Sequence, residues 1–247
     1  SEMCIRDRPM VNLKNGKVVA VEALLRWQHP EKGLIPPDKF IPIAERSGYI
    51  NQIGKWVLLE ACRQMKEWQG MGFEDVVMAV NISAKQFESP EFMPYVRHIL
   101  SQTGVNPAQL ELELTESAVI QQVTESIQRL EKLRHMRLRI SIDDFGTGFS
   151  SLSYIVRLPI DTLKIDRSFI MELEHSRQAQ AIVSTIITMG HSLNLNLVAE
   201  GIETKEQLAI IQQESCQLGQ GYYFSPPVAN GHIERILRQG TFKPKLP

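Results

Sequence analysis

Cysteine is scarce in this chain of 247 residues, which carries three: Cys4, Cys62 and Cys216. They form no CxxC and no Cys/His spacing, so neither a disulfide framework nor structural zinc is available, and the set fits a reducing compartment. Long apolar runs are also missing. The longest candidates, such as Ala181–Met189, are broken by Ser and Thr and fall short of the roughly 18 residues of a membrane span. Nothing resembles a signal peptide. The expected location is the cytoplasm, with a membrane tether through an N-terminal region left open. Excess charge of one sign is absent as well, with 27 Lys plus Arg against 28 Asp plus Glu. No global field draws the chain to nucleic acid, and any phosphate ligand must be met by local charges. No linker and no low-complexity segment interrupts the chain, so one domain is the simplest count.

What is present is a core and a rhythm. Hydrophobic residues make up 43% and charged residues 22%, ordinary values for a globular fold. Strands are expected at Pro9–Leu13, Val18–Leu24, Val76–Ile82, Leu110–Leu114, Leu138–Ile142, Thr162–Ile165, Leu195–Ala199 and Gly221–Phe224. Between them the period lengthens towards 3.6, predicting helices at Ile53–Trp68, Phe92–Gln102, Ser117–His135, Ser151–Leu158, Ala179–Leu193, Lys205–Gln213 and Ile233–Gln239. Thr204 precedes one of these, with Gln207 at the capping-box position. Asn15-Gly16 is a hairpin signal that sets the first two strands antiparallel. About eight strands with intervening helices predict an α/β fold, a closed (β/α)8 TIM-like barrel with an antiparallel first strand. The first eight residues, Ser-Glu-Met-Cys-Ile-Arg-Asp-Arg, lack strand alternation. They are read as a truncated or non-native leader, with the domain proper at 9–247.

Ligands of α/β barrels bind where the strands end, and here nearly every strand ends in a polar group. The run is Glu22, Asn81, Glu113 with Glu116, Asp143-Asp144, Lys164 then Asp166, and Glu200 then Glu203. Taken singly, each has a plainer reading as a helix cap, turn former or solvated rim charge. Taken together they do not, because clustered carboxylates repel one another unless cations share the site. All the donors are oxygen, without a His or Cys set, which points to Mg²⁺ or Mn²⁺. Adjacent Asp143-Asp144 suits two ions and in-line displacement at phosphorus.

These residues sit in longer motifs: Glu22-Ala-Leu-Leu-Arg-Trp27, Phe40-Ile-Pro-Ile-Ala-Glu45, Asn81-Ile-Ser83, Glu113-Leu-Thr-Glu-Ser117, Asp143-Asp-Phe-Gly-Thr-Gly148, Leu163-Lys-Ile-Asp166, Ala199-Glu-Gly-Ile-Glu203 and Gln220-Gly-Tyr-Tyr-Phe224. In content and order they resemble the EAL-domain family of cyclic di-GMP phosphodiesterases over essentially the whole chain after Arg8. The resemblance implies metal-dependent hydrolysis of cyclic di-GMP to linear pGpG in bacterial signal transduction. It implies Glu22, Asn81, Glu113, Asp143, Asp144 and Glu200 as ligands of two Mg²⁺ or Mn²⁺ ions, with Asp143 bridging. Lys164 would hold or deprotonate the attacking water, Gln220 would position water or substrate, and Glu200 joins the catalytic set. Glu116 would fasten the Asp-Phe-Gly loop, and Arg26 and Leu24 would meet the substrate. It further implies a homodimer through the Asp143–Leu158 loop and helix, and a sensory or regulatory domain N-terminal to this one. Two departures stand out: Arg8 takes the place of a family Gln before Pro9, and Phe149 that of a Tyr. Two other readings are weighed: an EAL-like receptor that binds cyclic di-GMP or a partner protein without cutting, and an enolase-type barrel. The second needs a capping domain for which the chain has no room.

Overall fold

Strand alternation places the inner and outer faces of the sheet. In Leu110-Glu-Leu-Glu-Leu114 the leucines are fully buried against the helices, while Glu111 and Glu113 point the other way, into a ring of strands. The computed structural model describes residues 2–147 and 152–242. Its elements begin with β1 (Glu2–Asn12), β2 (Val18–His29), β3 (Gly33–Ile35), α1 (Pro37–Ser47), α2 (Ile50–Gly70), β4 (Val77–Ile82), α3 (Ala84–Glu88), α4 (Phe92–Thr103), β5 (Leu110–Thr115), α5 (Glu116–Ile120) and α6 (Val123–His135). They continue with β6 (Arg139–Phe145), α7 (Leu152–Ile155), β7 (Thr162–Ile165), α8 (Arg167–Met171), α9 (Arg177–Ser192), β8 (Asn196–Ala199), α10 (Lys205–Gln213), β9 (Leu218–Gly219) and α11 (Asn230–Gln239).

Strands β2, β4, β5, β6, β7, β8 and β9 pair in parallel, in that order. The barrel closes through β1, which runs antiparallel to both β2 and β9. This is the expected TIM-like barrel with an antiparallel first strand; β3 only adds a short antiparallel edge to β2. Two apolar layers result. The larger lies between barrel and helices, where each fully buried leucine contributes roughly 2 kcal/mol. The smaller fills the barrel floor with Met10, Ala20, Val77, Ala79 and Val198. One step along each strand from that floor, the inward positions turn polar, and there the site lies.

Helix α2 buries Val57, Leu58, Ala61, Cys62, Met65 and Trp68, a 3.6-residue stripe. It needs Gly54, because a Cβ there would fall 1.5 Å from the Gln86 amide nitrogen. Gln86 in turn closes the capping box with Ser83 that starts α3 directly after β4. The box expected at Thr204 and Gln207 opens α10 as read.

Four expectations are corrected. The first strand is Glu2–Asn12, not Pro9–Leu13, and residues 2–8 pair with β2 from Gln28 back to Glu22. Residues 2–8 pair without side-chain alternation because the ladder is made by backbone groups. No strand forms at Gly221–Phe224. The last strand is Leu218–Gly219, and the chain then turns, with the N–H groups of Phe224 and Ser225 both donating to the Gly221 carbonyl at 3.1 Å. The helix expected over Ser117–His135 is split into α5 and α6. Helix α1 went unread, since Pro37 and Pro42 look like breakers; Pro37 instead occupies the first turn, where it costs no hydrogen bond. Phe149 and residues 148–151 of the expected loop and helix lie outside the described residues.

Candidate active site

The polar inward layer is a period-two consequence of the strands. Glu22 follows Ala20 on β2, Asn81 follows Ala79 on β4, and Glu113 follows Glu111 on β5. Lys164 follows Thr162 on β7, while Glu200 and Gln220 follow Val198 and Leu218. Lys164 is fully buried at the centre. Its Nζ lies 2.7 Å from Glu200, 2.9 Å from Glu113, 3.3 Å from Asp143 and 3.9 Å from Glu22. Glu22 is bound further: Asn81 Nδ2 donates to its Oε1 at 2.8 Å, and Gln220 Nε2 donates to its Oε2 at 2.5 Å. Asp143, Asp144 and Glu200 each offer an oxygen within 4.8 Å of the others.

The structure thus brings Glu22, Asn81, Glu113, Asp143, Asp144, Lys164, Glu200 and Gln220 to one centre. Glu116 stands apart from it, at the start of α5, and accepts the Gly146 N–H at 3.1 Å. Leu24 lines a cleft of about 610 Å³ that opens beside Glu22 and Asn81 under α1 and α2, a volume ample for a small-molecule ligand. Arg26 lies on the same face of β2, half-buried, with Nη1 on the Leu25 carbonyl at 2.8 Å. Two residues noted in the sequence but left out of the expected site prove to be its neighbours. Arg8 sends Nη2 to Glu22 Oε2 at 2.8 Å. Asp166 lies against Asp144, and it caps α8 through the Ser168 N–H at 3.0 Å. Asp166 follows Lys164 by two positions, as alternation on β7 would place it on the same face. Arg8 stood out in the sequence as the departure from the family Gln, and its register opposite Glu22 brings it to the site.

The electrostatics show more acid than the resident cations can balance. Burial draws the Lys164 ammonium down, but Asp143, Glu113, Glu200 and Glu22 outweigh it and hold it well above the usual lysine range. Burial likewise pushes Glu22 up, yet Lys164 and Arg8 prevail and keep it ionised below the usual carboxylate range. The remaining acids go the other way. Burial, then Glu22 and Asp143, raise Glu113 well above its ordinary value. Burial and then Asp143 push Glu200 up to about 8. Burial, then Asp143 and Asp166, bring Asp144 to about 6. Burial and mutual repulsion therefore oppose full ionisation of these acids in the absence of further cations. Glu113 Oε2 is buried with no hydrogen-bond partner among the described residues. An all-oxygen, over-acidic cluster fits a hard divalent cation.

An α/β barrel with an acidic, lysine-centred site at the strand ends is a class shared by several metal-dependent enzymes. Comparison narrows it. The EAL domain model matches residues 1–227, and the chain belongs to the EAL domain family. It is 44% identical over 235 residues to the cyclic di-GMP phosphodiesterase NbdA of Pseudomonas aeruginosa, covering 95% of this chain and 30% of that protein. It is 47% identical over 227 residues to the bifunctional diguanylate cyclase/cyclic di-GMP phosphodiesterase MucR of the same organism, covering 92% and 33%. The chain thus spans about a third of the length of these curated relatives. Among solved structures it matches the PaMucR phosphodiesterase in complex with c-di-GMP at TM-score 0.92 and 46% identity, over 94% of each chain. It also matches the EAL enzyme Bd1971, bound to cAMP and cyclic di-GMP, at TM-score 0.91 and 35% identity, over 96% of this chain and 65% of that one.

Proposed function

We propose that this chain is a divalent-metal-dependent phosphodiesterase that opens cyclic di-GMP to linear pGpG, and so lowers a bacterial second messenger. The observation that carries the reading is the set Glu22, Asn81, Glu113, Asp143, Asp144 and Glu200 gathered around Lys164 beside the cleft. Those six residues would hold Mg²⁺ or Mn²⁺, two ions in this reading. Such cations neutralise charge developing on the phosphoryl oxygens and acidify water. The chain's own groups do the rest. Lys164 would hold the attacking water or take its proton, a task that neighbouring divalent cations would assist by drawing the ammonium's pKa down. Gln220 and Asn81 fix the plane of Glu22 through their amides. Leu24 and the α1–α2 wall would receive the dinucleotide, and Arg26 is the cation on that face for a phosphate. In hydrolysis the water oxygen bonds to phosphorus, the ring P–O bond breaks, and the departing 3′ oxygen gains a proton.

The same reading includes a homodimer across the Asp143–Leu158 region, supported by Val156, which is 65% exposed immediately after α7. A sensory or regulatory domain would complete the full-length protein, in keeping with relatives about three times as long. Among the described residues no helix is long and apolar enough to cross a membrane.

One observation favours the receptor alternative: Arg8 already occupies an oxygen of Glu22. The deciding assay is cyclic di-GMP turnover with Mg²⁺ or Mn²⁺ for the native chain and Glu22→Ala. Linear pGpG should appear with the native chain and fall at least about 100-fold in the variant. Ca²⁺ should inhibit, because its looser coordination misplaces water. Tight binding of the dinucleotide without any pGpG would establish the receptor, and metal-independent turnover would refute the site.

A further inference from the structure

Tyr154 is not among the site residues read from the sequence, yet its phenol ends in the support of the site. Its O–H donates to Oε1 of Glu116, and both side chains are buried. The other oxygen of that carboxylate, Oε2, accepts the Gly146 N–H at 3.1 Å. One carboxylate therefore joins the start of α5, helix α7 and the turn that follows Asp143-Asp144-Phe145. The turn runs through left-handed backbone, with φ 55° at Asp144 and 96° at Gly146, values that few residues besides glycine, asparagine and aspartate adopt. On one side the turn is packed, since a Cβ on Gly146 would fall 2.9 Å from the Phe169 ring. On the other side it is held by Glu116.

We propose that Tyr154 is a positioning residue for the carboxylates Asp143 and Asp144, acting through Glu116 on the Gly146 turn. The proposal rests on the metal-centre reading above. A phenol-to-carboxylate bond is short and strong because the acceptor is charged. A carboxylate that receives donors on both oxygens is fixed in tilt and rotation, and so is the amide it holds. Removing the phenol takes away one of the donors that set that plane. The turn then has a wider choice of positions for Asp144, whose carboxylate must meet those of Asp143 and Glu200 within 4.8 Å. The plainer account is that the ring of Tyr154 fills core volume and its hydroxyl is merely satisfied. In that case the loss would reach stability alone.

The test compares the full chain with Tyr154→Phe, Glu116→Gln and the double variant, using Mn²⁺ affinity by electron paramagnetic resonance alongside kcat and KM for cyclic di-GMP. Tyr154→Phe should weaken Mn²⁺ binding about 10- to 100-fold, the range for a partner that orients a ligand. It should lower kcat at fixed Mn²⁺ and leave KM nearly unchanged. The double variant should lose no more than Glu116→Gln alone, because both act through one carboxylate. Unaltered Mn²⁺ affinity, with or without a lower Tm, overturns the proposal, and so does an additive loss in the double variant. A native chain that binds Mn²⁺ without hydrolysing cyclic di-GMP overturns the enzymatic reading, while the affinity comparison still decides the role of Tyr154. A native chain that binds no Mn²⁺ overturns both.

Discussion

Arg8 is the residue whose charge argues against its own site. Its guanidinium is 2.8 Å from Glu22 Oε2, and the Glu22 carboxylate holds it charged against the pull of burial, with Glu200 and Glu113 adding to the effect. A fixed cation held on a carboxylate that would ligate a divalent ion would cost on the order of several kcal/mol at an effective dielectric of ~20. Glutamine, which the family resemblance places at this position, keeps a donor for Glu22 without the charge. Arg8→Gln should therefore tighten Mn²⁺ binding by about tenfold or more and raise turnover, as read by calorimetric titration and steady-state kinetics. If Arg8 instead grips a substrate phosphate, KM for cyclic di-GMP rises in the variant and Mn²⁺ affinity stays put; that outcome would discard the competition argument. The neighbouring Asp7 is a second misfit. It is fully buried with Gln64 Nε2 at 2.7 Å and no ion pair among the described residues. Burial lifts it from 3.8 to about 6.

At the scale of elements, what could be read in advance depended on whether a single residue pattern determined the structure. Strands with leucine or isoleucine on one face, such as Leu110–Thr115 and Thr162–Ile165, were legible almost to the residue. Period two fixes their faces without help from the rest of the chain. The charged residues at their ends were legible for the same reason, since alternation alone sets Glu113 and Lys164 inward. Strand β9 was not, because two residues carry no period and its pairing depends on β8 and β1 being in place. Nor could the Tyr154–Glu116 bond be read, because it joins segments 38 positions apart through side-chain geometry. Helix α7 and the residue after it carry the element-scale prediction. Val156 is apolar and 65% exposed, and it lies in the region where the family resemblance implies a dimer contact. Val156→Asp should shift a dimer to monomer in light scattering at micromolar concentration, with the circular dichroism spectrum preserved. A native chain that is monomeric under those conditions would remove the dimer from the reading.

For the whole molecule, the surplus of buried acid links metal, pH and stability. Glu200 at about 8, Asp144 at about 6 and Asp7 at about 6 are all raised in the fold. For a raised carboxyl the folded state binds more protons than the unfolded one. Its favourable contribution is complete below the unfolded value near 4 and is lost as pH climbs through the folded value. Glu22 has the opposite sign, but its folded value lies low enough that its contribution changes only in acid. Between about pH 5 and 8.5 the metal-free protein should therefore lose stability steadily. Divalent cations compete with those protons, so they bind better as the carboxyls ionise. The Tm increase given by saturating Mn²⁺ should be small at pH 5.5 and several degrees larger at pH 8, measured by differential scanning fluorimetry with a chelator control. Asp7→Asn separates the two contributions, because Asp7 is no ligand in this reading. It should recover about 2–3 kcal/mol of metal-free stability at neutral pH, the size of a two-unit shift, and leave the Mn²⁺-induced rise and its pH trend intact. A Mn²⁺ effect of equal size at both pH values would mean that the raised acids are not where the metal binds.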